Sequence, residues 1–331
     1  MIELSTIPSA PRVTATTSRL TASNRRDHFL ARIGYRRGDH RLEPGLYALG
    51  APSPESPVFV TANYTLSFDA LRSALDGVDA YILVLDTKGI NVWCAAGKGT
   101  FGTDEIVARL HATGLKNVVS HRKLILPQLG APGVAAHEVK RRTGFWVEYG
   151  PVRAEDLPEY LKTHKATPEM RTARFTLRDR LVLIPIEVKG ALLPTLAAAL
   201  VLYFVGGPLA SLAALTAVLA GTVLFPLLLP WIPTSNFSTK GYLLGLLAAL
   251  PFAAASFLRH PDWAWWQQLL QALQFLLAMP AVTAFLALNF TGATTFTSRS
   301  GVKREMFAYI PAMAWTFGLG ILLAIASIFV L

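Results

Sequence analysis

Ala80-Tyr81-Ile82-Leu83-Val84-Leu85-Asp86 is an almost wholly apolar run that ends on a carboxylate. A run of this length bounded by turn residues reads as a strand buried on both faces. Pro57–Ala62 (PVFVTA) reads the same way upstream, and Ser67–Leu75 between them reads as a helix. Downstream, Thr103–His111 is expected to be a helix capped by Thr103, with Asp104 and Glu105 in its first turn. Val118–Ser120 is expected as a short strand, Val134–Arg142 as a helix and Phe145–Tyr149 as a final strand. Apolar strands alternating with amphipathic helices imply a parallel sheet covered on both faces, a Rossmann-like α/β domain. Ligands of such sheets bind in the crevice beyond the carboxyl ends of the strands. The rule selects the loops Asn63–Thr65, Thr87–Gly102, His121–Gly133 and Gly150–Arg153.

The rest of the chain is different in kind. Only 16% of the 331 residues are charged, against about 25% in an ordinary soluble domain. Of the 31 Lys and Arg, only Lys189, Lys240, Arg259, Arg299, Lys303 and Arg304 lie beyond residue 183; of the 21 Asp and Glu, only Glu187, Asp262 and Glu305 do. A bilayer core takes about 20 apolar residues per helix. Spans are expected near 190–206, 209–231, 241–258, 265–290 and 306–330, with Gly206-Gly207-Pro208 as the turn between the first two. The domains are then an irregular N-terminal arm (1–55), the α/β domain (56–165), a linker or interfacial segment (166–189) and an all-α transmembrane domain of about five helices (190–331).

Lys240 and the Arg299, Lys303, Arg304 cluster fall in loops on one side, which places them and the N-terminal domain in the cytoplasm. The first twenty residues hold no apolar h-region, so no cleaved secretory signal is expected. The net charge of +10 is read as a topology signal, and nucleic acid is not expected as a partner. No span carries a central ionisable residue, which favours anchoring or docking over transport.

Two phosphate-binding readings fail on residues. Gly97-Lys98-Gly99-Thr100 has Val92 where a P-loop needs its first glycine and Gly99 where it needs a hydroxyl, and no Gly-x-Gly-x-x-Gly follows the first strand. The single cysteine, Cys94, excludes an internal disulfide and a multi-thiolate zinc site, and Gly97 excludes a Cys-x-x-Cys pair. If residues 91–98 are helical, Asn91, Cys94, Gly97 and Lys98 share a face on which Gly97 contributes no bulk. Such a face suits a flat ligand whose centre receives a thiolate. A lone Cys among Ala and Gly is otherwise an ordinary buried small residue, and a nucleophilic Cys would need a base such as His111, His121 or His137.

Asn91-Val92-Trp93-Cys94-Ala95-Ala96-Gly97-Lys98 resembles the signature of the mercury-methylating corrinoid protein family. Its soluble domain is in turn similar to the corrinoid domain of the corrinoid iron–sulfur protein large subunit. The resemblance implies a cobalt corrinoid cofactor, with Cys94 as the lower axial ligand of cobalt and Asn91, Val92, Trp93, Ala95, Ala96, Gly97 and Lys98 forming a cap helix against its lower face. The crevice rule adds the loops Thr61–Thr65 and Leu126–Pro132, with Thr61, Asn63, Thr65, Leu126 and Pro127 as candidate contacts to the ring and its tail. The implied activity is methyl transfer from cobalt to Hg(II), for which a soft, strongly donating thiolate is an apt ligand. The implied partners are a dicluster iron–sulfur ferredoxin, as reductant and Hg(II) carrier, and a methyl donor protein or methylfolate-derived route; the implied site is the cytoplasmic membrane. Two other functions stay open on the residues: a membrane-bound corrinoid methyl carrier for another acceptor, and a membrane transporter with a regulatory domain.

Overall fold

The computed structural model describes residues 12–294 and 297–330. The chain divides into two compact units, one of the described residues up to Ala31 with Tyr35–Arg174, the other of Arg32–Gly34 with Phe175 onward.

The first unit is built on a six-stranded sheet of β1 (Val13–Thr16), β2 (Gly45–Leu49), β3 (Val58–Ala62), β4 (Ala80–Leu85), β5 (Lys123–Leu126) and β6 (Trp146–Tyr149), in the order β1-β2-β4-β3-β5-β6. Every pairing is parallel except β2 with β4, which is antiparallel. Side chains alternate between faces with the period of two a strand imposes. Val58, Val60, Ala62, Leu83 and Leu85 pack on one face against Val92, Phe101, Ile106 and Leu110. Phe59, Ile82 and Val84 pack on the other against Phe68, Leu71, Leu75 and Tyr160. All residues of β3 and β4 are buried, and each large one contributes about 1.5–3 kcal/mol by leaving water. The covering helices are α1 (Ala22–Arg32), α2 (Thr65–Ala74), α3 (Val92–Lys98), α4 (Thr103–Thr113), α5 (Ala136–Thr143) and α6 (Leu157–Thr163).

Three expectations are corrected here. The arm at 1–55 is not irregular where it is described: it supplies β1, α1 and β2, while its first eleven residues lie outside the described residues. Val118–Ser120 is no strand, because Val118 closes a 3-10 turn onto Leu115 and the strand begins at Lys123. Thr103 does not cap α4. Gly102 stands at that position, and the Thr103 hydroxyl instead accepts the Ala135 N–H at 2.8 Å, tying α4 to the start of α5.

The expected linker folds into the short helices α7 (Pro168–Arg171) and α8 (Leu177–Leu181), with the unit boundary at Arg174/Phe175. The second unit continues with α9 (Ile184–Leu219), a π-helical turn at Ala220–Leu224, α10 (Phe225–Leu228), α11 (Phe237–Arg259), α12 (Trp265–Asn289) and α13 (Arg299–Val330). Four stretches among the described residues are long and apolar enough to cross a bilayer, one fewer than expected from the sequence. The two expected N-terminal spans are joined into one stretch through Gly207, whose φ of 75° and ψ of −175° break the helix. The chain nevertheless reverses there. Arg180, just before α9, donates to the carbonyls of Pro226 (3.2 Å) and Leu227 (2.8 Å) in α10, whereas an unbroken helix would hold these residues about 70 Å apart. Helices α11 and α12 meet through small residues: a Cβ on Gly241 would lie 2.5 Å from Ala284 Cα, and one on Gly245 2.6 Å from Pro280 Cα. Lys240, expected in a loop, is a buried residue of α11, and its ammonium donates to the carbonyls of Leu229 and Ile232.

Candidate functional site

The loop after β4 turns over Asn63. Its side-chain carbonyl accepts the Thr87 N–H (3.0 Å), the Thr87 hydroxyl (2.9 Å) and the Gly89 N–H (3.0 Å), and its amide donates to Asp86 (3.3 Å). A buried amide so fully satisfied fixes the route of the chain into α3. Glu105 of α4 accepts the Asp86 N–H at 2.8 Å and adds a second anchor.

Helix α3 has the seven residues Val92–Lys98. Asn91 is its N-cap and accepts the Cys94 backbone N–H at 2.9 Å. Gly99 closes it in the left-handed conformation at φ 83°, where a glycine is favoured, and donates to the last carbonyls. Val92, Ala95 and Ala96 are buried against the sheet. Asn91, Gly97 and Lys98 are exposed and Cys94 is half-buried, so the expected shared face is the one turned outward. A Cβ built on Gly97 meets nothing within 4 Å. Trp93 is half-buried at the edge of this face.

Two features bear on this helix in ways the sequence did not disclose, one inside the expected crevice loop His121–Gly133 and one outside every expected loop. The 3-10 segment Gln128–Gly133 packs directly under it, and only glycine fits at two of its positions. A Cβ on Gly133 would lie 2.2 Å from Phe101 O and 3.0 Å from Ala96 Cα, and one on Gly130 would lie 2.6 Å from the Phe101 ring. Their spacing in Gly130-Ala131-Pro132-Gly133 is the only trace in sequence. The other is Arg37, fifty-odd residues upstream and without any sequence signal, whose charge bears on the Cys94 thiol. Burial pushes that thiol above its ordinary value, opposed by the charges of Lys98 and Arg37 and by the hydrogen bond with Asn91. Near Arg37, buried His40 spans Asp27 (2.7 Å) and the Tyr35 carbonyl (2.6 Å). Both ring nitrogens face acceptors, which calls for the imidazolium.

The remaining sequence candidates take other places. Thr61 and Leu126 are buried within the sheet. Asn63 is committed to the loop as described. Thr65 opens α2 and donates to Asp27 at 2.6 Å. Pro127 precedes the 3-10 segment as its N-cap. The structure therefore brings together Asn91, Cys94, Gly97 and Lys98 with Arg37, and gives Thr61, Asn63, Thr65 and Leu126 internal work. Among the described residues no cluster of three or more His, Cys, Asp or Glu is placed to hold a bare metal ion.

The sheet and the capped helix define a class of domain, and comparison with known proteins points the same way. Residues 36–161 match the family model described as CdhD, CO dehydrogenase/acetyl-CoA synthase delta subunit. The acetyl-CoA decarbonylase/synthase complex subunit gamma of Methanopyrus kandleri is 33% identical over 128 residues, 38% of this chain and 27% of that protein. The subunit of the same name from Archaeoglobus fulgidus is 32% identical over 124 residues, 37% of this chain and 26% of that protein. The corrinoid/iron-sulfur protein large subunit of Moorella thermoacetica is 30% identical over 129 residues, 38% of this chain and 28% of that protein. The chain thus spans about a quarter of the length of these curated relatives. The family-model match ends before Phe175, so that likeness belongs to the α/β unit.

Proposed function

We propose that the α/β unit binds a cobalt corrinoid on the outward face of α3 and passes its methyl group to Hg(II). The observation that carries this reading is the pairing of Cys94, half-buried and capped by Asn91, with the open space beside Gly97. A flat macrocycle laid on that face meets no side chain at position 97 and one sulfur at position 94. The octapeptide resemblance and the similarity to a corrinoid/iron-sulfur large subunit support the cofactor, while only the octapeptide supports mercury as the acceptor.

The fit assigns roles to this chain's own residues. Cys94 would ligate the metal as thiolate, and the positive charges of Lys98 and Arg37 favour that ionised form. Asn91 holds Cys94 at a fixed height by accepting its backbone N–H. Gly97 admits the ring, and Lys98 offers an ammonium to its amide or anionic edge. The corrinoid, when bound, supplies a cobalt that carries the methyl group. Thiolate is a soft, strongly donating ligand, so Cys94 as ligand would make the methyl group on such a cobalt a better donor to an electrophile such as Hg(II).

The lone cysteine leaves no second thiol to deliver mercury. A small iron–sulfur ferredoxin with its own cysteines is proposed as reductant and Hg(II) carrier, with a methyl donor protein or methylfolate-derived route upstream. The apolar helices support a reading of the chain as a multi-pass protein of the cytoplasmic membrane, with the α/β unit proposed on the cytoplasmic side. The test is methyl transfer from methylcorrinoid-loaded full-length protein to Hg(II), measured as methylmercury. Wild type forms methylmercury and Cys94→Ala forms none while remaining folded. Full activity in Cys94→Ala would overturn the ligand role, and transfer to another acceptor in preference to Hg(II) would leave a methyl carrier instead.

A further inference from the structure

The helical unit holds a half-open cavity of about 720 Å³, within the range of small-molecule sites. Its walls come from both limbs of α9, from α12 and from α13. Many of the facing residues are small, among them Ala198, Ala210, Ala213, Ala214 and Ala217. Such residues usually let helices close on one another; here the reversal at Gly207 holds the two limbs of α9 around open space.

The lining is graded in polarity. Arg259, His260 and Trp263 stand at one end, with the His260 ring stacked on Trp263 at 3.8 Å. Arg259 has no carboxylate partner among the described residues. Gln271 and Gln274 come next, about 9 and 14 Å along α12 from Trp265. Phe275, Met279, Phe317 and Ile321 form the apolar remainder. The Gln271 side-chain carbonyl is buried without a hydrogen-bond partner. That oxygen is closed off from the open space, so Gln271 and Gln274 enter only as polar amides of the lining.

We propose that this cavity binds one anionic bilayer phospholipid, its phosphate at Arg259, its glycerol region beside the amide residues Gln271 and Gln274 and an acyl chain between α9, α12 and α13. The order cation, amide, hydrocarbon matches phosphate, glycerol and acyl chain, and phosphatidylglycerol carries the negative charge that Arg259 selects. The site is independent of Cys94 and of the corrinoid reading, and its test needs no cofactor.

Full-length protein is stripped of lipid in detergent, offered equal amounts of phosphatidylglycerol and phosphatidylcholine, and examined by native mass spectrometry. One phosphatidylglycerol should remain bound, favoured about fivefold over phosphatidylcholine for a single cationic contact. Arg259→Gln should abolish the preference. Ala214→Phe, which fills the cavity from a half-buried position, should abolish retention of either lipid. No retained lipid in wild type, equal retention of the two headgroups, or unchanged retention in folded Ala214→Phe would overturn the proposal. Should Ala214→Phe fail to fold, the headgroup preference of wild type against Arg259→Gln still decides.

Discussion

Asn91 Oδ1 accepts the backbone N–H of Cys94 at 2.9 Å, so the residue that begins α3 also sets the position of the thiol on it. A two-turn helix has little stability of its own, and this one depends on its cap, on Gly99 and on the buried contacts of Val92, Ala95 and Ala96.

Asn91→Ala should therefore cost about 1 kcal/mol in thermal or denaturant unfolding of the α/β unit. It should weaken corrinoid binding by more than the stability loss alone explains, because Cys94 loses its fixed placement. Asn91→Asp keeps the cap and should restore most of the binding. Equal binding in wild type and Asn91→Ala, followed by titration of the visible spectrum, would contradict the positioning role.

Gly97→Leu separates folding from binding. Position 97 lies within a helix and faces open space, so the variant should be as stable as wild type or gain up to about 1 kcal/mol from helix propensity. It should lose corrinoid, since the new side chain stands where the ring is proposed to lie. Isothermal titration beside a melting curve reports both quantities; retained binding would place the ring elsewhere.

The Cys94 thiol is held above its ordinary value by burial, with Lys98 and Arg37 pulling the other way. Since the thiolate is the reactive form, iodoacetamide labelling of the cofactor-free protein should rise with pH along a profile lying above that of a free thiol. Arg37→Ala removes a cation that favours thiolate, so its profile should move to still higher pH, while Arg37→Lys should stay near wild type. A profile unmoved by Arg37→Ala would show that the charge is too screened to matter.

The reversal at Gly207 makes a prediction about distance. Spin labels at Leu181 and Leu228, in a Cys94→Ser background, should report a separation of about 20 Å or less by pulsed resonance, as expected of neighbouring helices. A value near 70 Å would mean one unbroken helix through Gly207.

The parts of this fold legible in the sequence were those with a strong local cause. Ala80–Leu85 and Val58–Ala62 are buried on both faces and read as continuous apolar runs. The outward face of α3 followed from residue spacing alone. Val13–Thr16 and Gly45–Leu49 were illegible because Pro, Ser and Arg surround them, and they become strands by pairing with distant partners. Val118-Val119-Ser120 misled because β-branched residues also fill the buried turn before β5, where Val119 is 3% exposed. Thr61, Asn63 and Leu126 were placed by a rule about loops, which does not say whether a side chain points to the crevice or into the protein. Arg37 reaches the site only through the fold.

The central claim is that Cys94 ligates cobalt. The most direct measurement is cobalt X-ray absorption on the corrinoid-loaded full-length protein, wild type beside Cys94→Ala. The account predicts a cobalt–sulfur scattering shell in wild type that disappears in the variant while the protein stays folded. A wild-type spectrum with only nitrogen and oxygen neighbours, or one unchanged by Cys94→Ala, would contradict it.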